Sequence, residues 1–150
     1  MITTLVRCLG SEHRKLDGFN VQLAFSATAL AADPEAVASG QRLFEVWDEI
    51  RRDLWSHLQI EDGLVFSWAE AHHAISGALL DILKIERQEM RKLVAALPAL
   101  SSGVGSEPQT ARDRGVFART LLALAQTLDS HVERYEGEVL PSILRALFHR

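Results

Sequence analysis

Apolar residues recur every three or four positions along most of the chain, and no stretch sustains the period-two alternation of a half-buried strand. The first segment, from about Ile2 to Leu30, carries Leu5, Leu9, Leu16, Leu23 and Leu30. That is largely a seven-residue repeat, suited to a bundle helix and interrupted by His13 and Asn20. Asp33-Pro34-Glu35 predicts the next helix start, with an N-cap, proline at the first helical position and an acid in the first turn. The second segment runs to about Glu70 on a seam of Trp47, Ile50, Leu54, His57, Glu61, Leu64 and Trp68. The third, from about Ile75 to Leu97, turns Leu79, Ile82, Leu83, Met90, Leu93, Val94 and Leu97 inward, with Glu86 and Arg87 in mid-stripe. Pro98 to Pro108, containing Ser101-Ser102-Gly103-Val104-Gly105-Ser106, predicts the one long loop. The fourth segment, from about Thr110 to Phe148, has Phe117, Leu121, Leu124, Leu128, His131 and Tyr135 on one edge of its stripe. Val132, Glu136, Val139 and Ile143 form the other edge. Mostly short connections make neighbouring helices antiparallel. The expectation is therefore an all-α fold: one domain over residues 1–150, an up-down-up-down four-helix bundle.

Apolar residues make up 47% of the 150, enough for a sizeable core without a metal to staple it, so any metal is expected to serve function. The net charge of −4 and scattered basic residues give no reason to expect nucleic acid as a partner. Cys8 stands alone, which excludes an intrachain disulfide and a cysteine-based zinc site and points to a reducing, cytoplasmic setting. Cys8 itself is expected to be a small core residue. Met1-Ile2-Thr3-Thr4 lacks the features of a signal peptide, and no apolar run is long enough to predict a membrane span.

The chemistry lies where the stripes turn polar. His57-Leu58-Gln59-Ile60-Glu61-Asp62 and His131-Val132-Glu133-Arg134-Tyr135-Glu136 read as two copies of one half-motif, each a histidine followed by acids and then an apolar run. His57 and Glu61 lie one turn apart on the inner face. Glu12-His13-Arg14-Lys15-Leu16 and Glu86-Arg87-Gln88-Glu89-Met90 form a second, weaker repeat, with Arg87 where the first copy has His13. Polar residues on four inner stripes at one level need a shared explanation, because each is costly to bury alone. A cation supplies one. Imidazole and carboxylate without thiolate suit iron or manganese, and also zinc. Two metals bridged by carboxylates are a known use of bundle cores. A hydrogen-bonded His57–Glu61 pair in a metal-free interaction module is the bland alternative.

On Glu12-His13, His57-x-x-x-Glu61 with Val65-Phe66, and His131 through Glu136 with Val139-Leu140-Pro141, the chain resembles the hemerythrin-like, His-His-Glu cation-binding domains over nearly its whole length. The resemblance implies a four-helix bundle with a di-iron centre that binds dioxygen, senses oxygen, nitric oxide or iron, or handles iron under stress. By it, His13, His57 and His131 are terminal ligands, Glu61 a bridging carboxylate, and Glu136 the second bridge. Five residues turn an α-helix by about 140°, so His131 and Glu136 would leave from opposite flanks of the inner face. Helix three departs from the family pattern: Arg87 cannot ligate, and Glu86 is the nearest replacement. His72, His73 and His149 are expected at the surface. A site with three histidines and up to three carboxylates would favour ferric iron and one-way oxidation over reversible carriage. A ferroxidase- or peroxidase-like enzyme is the neighbouring reading, and either a monomer or a homodimer is compatible.

Overall fold

A computed structural model describes residues 2–100 and 108–149; the predicted loop at Ser101–Ser106 lies outside them. The described residues are helical almost throughout and contain no strand. Four rods result. The first is α1 (Ile2–Ala32). The second joins α2 (Val37–Ile60), a π-helical stretch π1 (Glu61–Phe66) and α3 (Ser67–Ala71). The third is α4 (Gly77–Leu100). The fourth joins α5 (Ala111–Arg134), π2 (Tyr135–Val139) and α6 (Leu140–Phe148).

The boundaries follow local chemistry. Thr110, where the pattern of the fourth segment begins, caps α5, its hydroxyl accepting from the Asp113 N–H at 3.1 Å. The second rod begins later than Asp33-Pro34-Glu35 predicts. Ala36 is its N-cap residue and residues 33–36 form a turn, closed by the Ala36 N–H on the Asp33 carbonyl at 3.1 Å. That turn is held by Arg114 of α5, a buried side chain whose Nε donates to the Pro34 carbonyl at 2.6 Å and whose Nη1 donates to the Gln109 carbonyl at 3.2 Å. Gly40 makes room for it: a Cβ there would lie 2.7 Å from Arg114 Cδ. The third rod continues past Pro98 to Leu100.

α1 packs against α2 and α5, and α4 packs against α5. Asn20 ties α1 to α5, its Nδ2 donating to the Ala125 carbonyl at 3.0 Å and to Asp129 Oδ1 at 2.7 Å. Two apolar clusters fill the interior. One gathers Leu23, Leu30, Leu43, Ile50, Leu54, Met90, Phe117, Leu121 and Leu128. The other gathers Leu9, Val65, Phe66, Leu83, Tyr135, Val139 and Ile143. Cys8 is exposed rather than a core residue, and so is Ile82, with Leu80 and Leu83 carrying the buried stripe of α4 instead. No helix among the described residues is long and apolar enough to cross a membrane.

The two π-helical stretches decide which side chains face inward. A π turn takes one more residue than an α turn, so every side chain beyond it moves round by one position. In the second rod the predicted seam through Leu64 and Trp68 gives way to Val65, Phe66 and Ala69, which are buried, while Leu64 is 52% exposed. In the fourth rod the inner line runs His131, Tyr135, Val139, Ile143, and Glu136 is turned out to solvent. Both stretches start four residues after a histidine, at Glu61 and at Tyr135, so the sequence half-repeat is also a backbone repeat.

Candidate metal centre

His13, His57, Glu61 and His131 come together between the two apolar clusters, all four buried. Each offers one ligand atom, and these atoms lie within 4.8 Å of one another. His13 Nε2 is 2.7 Å from Glu61 Oε1, His57 Nε2 is 2.5 Å from the same oxygen, and the two ring nitrogens are 2.8 Å apart. His131 Nε2 meets Glu61 Oε2 at 2.7 Å. α1, α2 and α5 each contribute an imidazole, and the first residue of π1 contributes the carboxylate.

Protons alone do not satisfy this arrangement. If both His13 and His57 donate to Glu61 Oε1, their two N–H groups are forced together. If one nitrogen is bare, its lone pair faces the carboxylate oxygen. With Glu61 ionised, one side of the triangle is repulsive in every imidazole tautomer. A cation inside the cluster makes every contact attractive. Adjacent ligand atoms on one ion at bonds of about 2.1 Å sit about 3.0–3.4 Å apart, wider than the contacts of 2.5 to 2.8 Å within the triangle and narrower than the 4.8 Å that bounds the whole set. The donor set therefore fits a metal ion, with three imidazole nitrogens and a carboxylate.

The charges within the cluster keep Glu61 anionic, the form a ligand carboxylate needs. Burial pushes the Glu61 carboxyl up, but the charge of His131 and the hydrogen bonds from His13, His131 and His57 outweigh it and hold Glu61 well below the ordinary carboxylate range. Burial pulls His57 down, while Glu61 and Glu12 push it up, and the pair of carboxylates prevails. Glu12 acts on the far nitrogen: its Oε2 lies 3.0 Å from His57 Nδ1, which fixes the ring so that Nε2 points inward. Sequence reasoning placed Glu12 beside His13 but gave it no part in the site. Its signal was a lone carboxylate on the flank of the α1 stripe, next to the site-bearing histidine.

The other candidates stand outside the cluster. Glu86 is half-buried and takes Arg134 Nε at 3.3 Å on both oxygens, with Oε1 4.0 Å from His131 Nδ1. It flanks the outer side of the His131 ring and does not enter the cluster. Glu136 is exposed and lines a surface hollow with Asp17, Asp129, Val132 and Glu133. Partial burial, followed by the charges of Glu136 and Asp129, pushes Asp17 up. Arg87 is buried against the Phe66 ring, 4.4 Å from its centroid, and pairs with Asp62, which also holds Arg91. His72 and His73 are exposed, with His72 stacked on Trp68.

Tyr135 takes the inner place one turn beyond His131 that Glu61 holds one turn beyond His57. It is fully buried, its ring 4.3 Å from that of His13, and its hydroxyl has no hydrogen-bond partner among the described residues. Burial, with Glu61's charge added, raises its pKa, so the phenol stays protonated. The outer nitrogens of His13 and His131 also lack partners within hydrogen-bond reach.

The family model for the hemerythrin HHE cation-binding domain matches residues 4–143. The chain belongs to that family. The match spans all four rods and contains every residue of the cluster, and the structure supplies what the family's description asks for, histidines and a glutamate gathered in a buried layer. The cluster makes this member a metal-binding domain by its donor set. No curated protein and no solved structure matches the chain.

Proposed function

We propose that the chain holds one non-haem iron ion on His13, His57, His131 and Glu61, and that this ion binds or reacts with a small oxygen species: dioxygen, nitric oxide or peroxide. The observation that carries the reading is the triangle of His13, His57 and Glu61, which a cation satisfies and protons do not. The four rods are read as an antiparallel up-down-up-down bundle, which the short turn over residues 33–36 favours. Iron rather than zinc or manganese rests on the family resemblance, since the donor set suits all three. One ion rather than two rests on the placement of Glu86 and Glu136, because a second ion needs carboxylates that here face Arg134 and solvent.

Apolar residues above and below the cluster restrict water, and the three imidazoles with Glu61 leave any further coordination position to an incoming molecule. The test is the metal content of protein purified from iron-rich medium, followed by reloading of the metal-free chain with iron, zinc or manganese in competition. About one iron per chain is expected, together with oxygen uptake by the ferrous protein. Two irons per chain would restore a di-iron centre, and exclusive retention of zinc would end the oxygen reading.

A further inference from the structure

A second site lies away from the metal cluster, in the seam between α2 and α4. The backbones of these two helices approach less closely than those of the three packed pairs. A cleft of about 460 Å³ opens there, lined by Trp47, Arg51, Arg52, Trp55 and Ser56 of α2 and Val94 of α4. Its size falls within the range of small-molecule pockets. The spacing Trp47, Arg51, Trp55 puts an indole one turn before and one turn after a guanidinium on a single stripe, and Arg52 and Ser56 form the adjoining stripe.

Among the described residues the lining offers donors and no carboxylate. Trp47 forms the floor and is only 6% exposed. Trp55 forms a wall and is left 44% exposed. Arg52 has no hydrogen-bond or ion-pair partner among the described residues, and Arg51 gives Asp48 only its Nε, at 2.7 Å. Neither guanidinium caps an indole: the cation–π contacts among the described residues are Lys15 over Phe19 and Arg87 over Phe66. One half-exposed indole, Trp55, and one unpaired charge, Arg52, thus meet at one opening, with Arg51 beside them holding Asp48 by its Nε alone. A large half-exposed indole beside an unpaired cation gains little from the fold and much from a ligand that stacks on one and pairs with the other.

We propose that this cleft binds a small planar aromatic anion, its ring system stacked against Trp55 over the Trp47 floor and its negative group on Arg51 and Arg52. Ser56 also lines the smaller hollow that reaches Glu12 and His57, so the ligand sits one residue along the helix from the metal cluster. The inference does not depend on which metal, if any, the cluster holds.

The test is calorimetric titration of the whole chain with 2-naphthoate, naphthalene-2-methanol and cyclohexanecarboxylate. The expected result is one saturable site per chain for 2-naphthoate, with each of the other two at least about tenfold weaker, since each lacks one half of the recognition. Arg52→Gln should weaken 2-naphthoate by about tenfold and leave the alcohol unchanged. Trp55→Ala should weaken both aromatic probes. Helix content by circular dichroism identifies any variant that fails to fold, and Arg52→Gln removes a side chain with no partner to lose. No saturable binding at millimolar probe, equal affinity for acid and alcohol, or indifference to both substitutions would each overturn the proposal.

Discussion

Glu12 directly precedes His13 and Glu136 follows His131 by five residues, and the structure gives the two acids opposite places. Glu12 grips the outer nitrogen of His57 and orients it, whereas Glu136 faces solvent beside Asp17. Glu12→Gln should therefore lower metal affinity by about 10- to 100-fold, the usual cost of losing such a partner, as read by competition with a chromophoric chelator. Glu136→Gln should leave metal content unchanged, and loss of metal there would mean that Glu136 swings in to ligate. Glu61→Ala removes the one carboxylate of the cluster among the described residues and should abolish tight binding. The identities of His13, His57, Glu61 and His131 were legible because each interrupts an apolar stripe at helical spacing. Glu86 and Glu136 were misplaced for one reason: a carboxylate at the edge of a stripe is drawn inward by a metal or outward by water and arginine, and spacing alone does not weigh the two. For Glu86 the competitor is Arg134, a helix away.

At the scale of elements, the rods follow from periodicity, but the phase within them does not. An α-helical wheel carries Leu64 and Trp68 inward after Glu61, whereas the wide turn at π1 selects Val65 and Ala69. Glycine marks both stretches, Gly63 in one and Gly137 in the other, yet a lone glycine in a helical pattern is too common a signal to announce an extra residue in the turn. The start of α2 was misread because the Asp33-Pro34 signal is genuine but local, and Arg114, about eighty residues away, holds that turn out of the helix. Arg114→Met should accordingly destabilise the fold by about 1–3 kcal/mol in chemical denaturation, through loss of two hydrogen bonds from a buried charged group to carbonyls. Metal affinity should be untouched. If the variant is as stable as the parent, the turn is held by packing alone.

At the scale of the molecule, a layer of three histidines and one glutamate is sandwiched between two apolar clusters. Each cluster joins side chains from several rods, so the chain has hydrophobic contacts enough to fold without the ion. Metal removal should leave the helical content near its starting value while lowering the melting temperature. The deficit corresponds to about 4 kcal/mol where free metal stood at a thousand times its dissociation constant. Collapse to an unfolded chain on chelation would show the metal to be structural. The composition carries the same expectation, with apolar residues at 47% of the chain. It did not show that the polar residues would stack into one thin layer, which depends on where the four rods stop sliding past one another.

The occupant of Tyr135's position has a consequence for charge. A divalent ion brings two positive charges, three neutral imidazoles bring none, and Glu61 returns one negative. The expected partner carboxylate is replaced by a phenol that burial keeps neutral. The loaded centre would carry a net single positive charge in a dry layer, and a trivalent ion would carry two. The carboxylate-rich centre expected from the sequence favours the oxidised ion; this one penalises it until a small anion arrives. Redox titration of the iron-loaded protein should therefore show a potential that falls when azide is added. A potential indifferent to azide would mean that the missing negative charge is supplied from elsewhere in the chain.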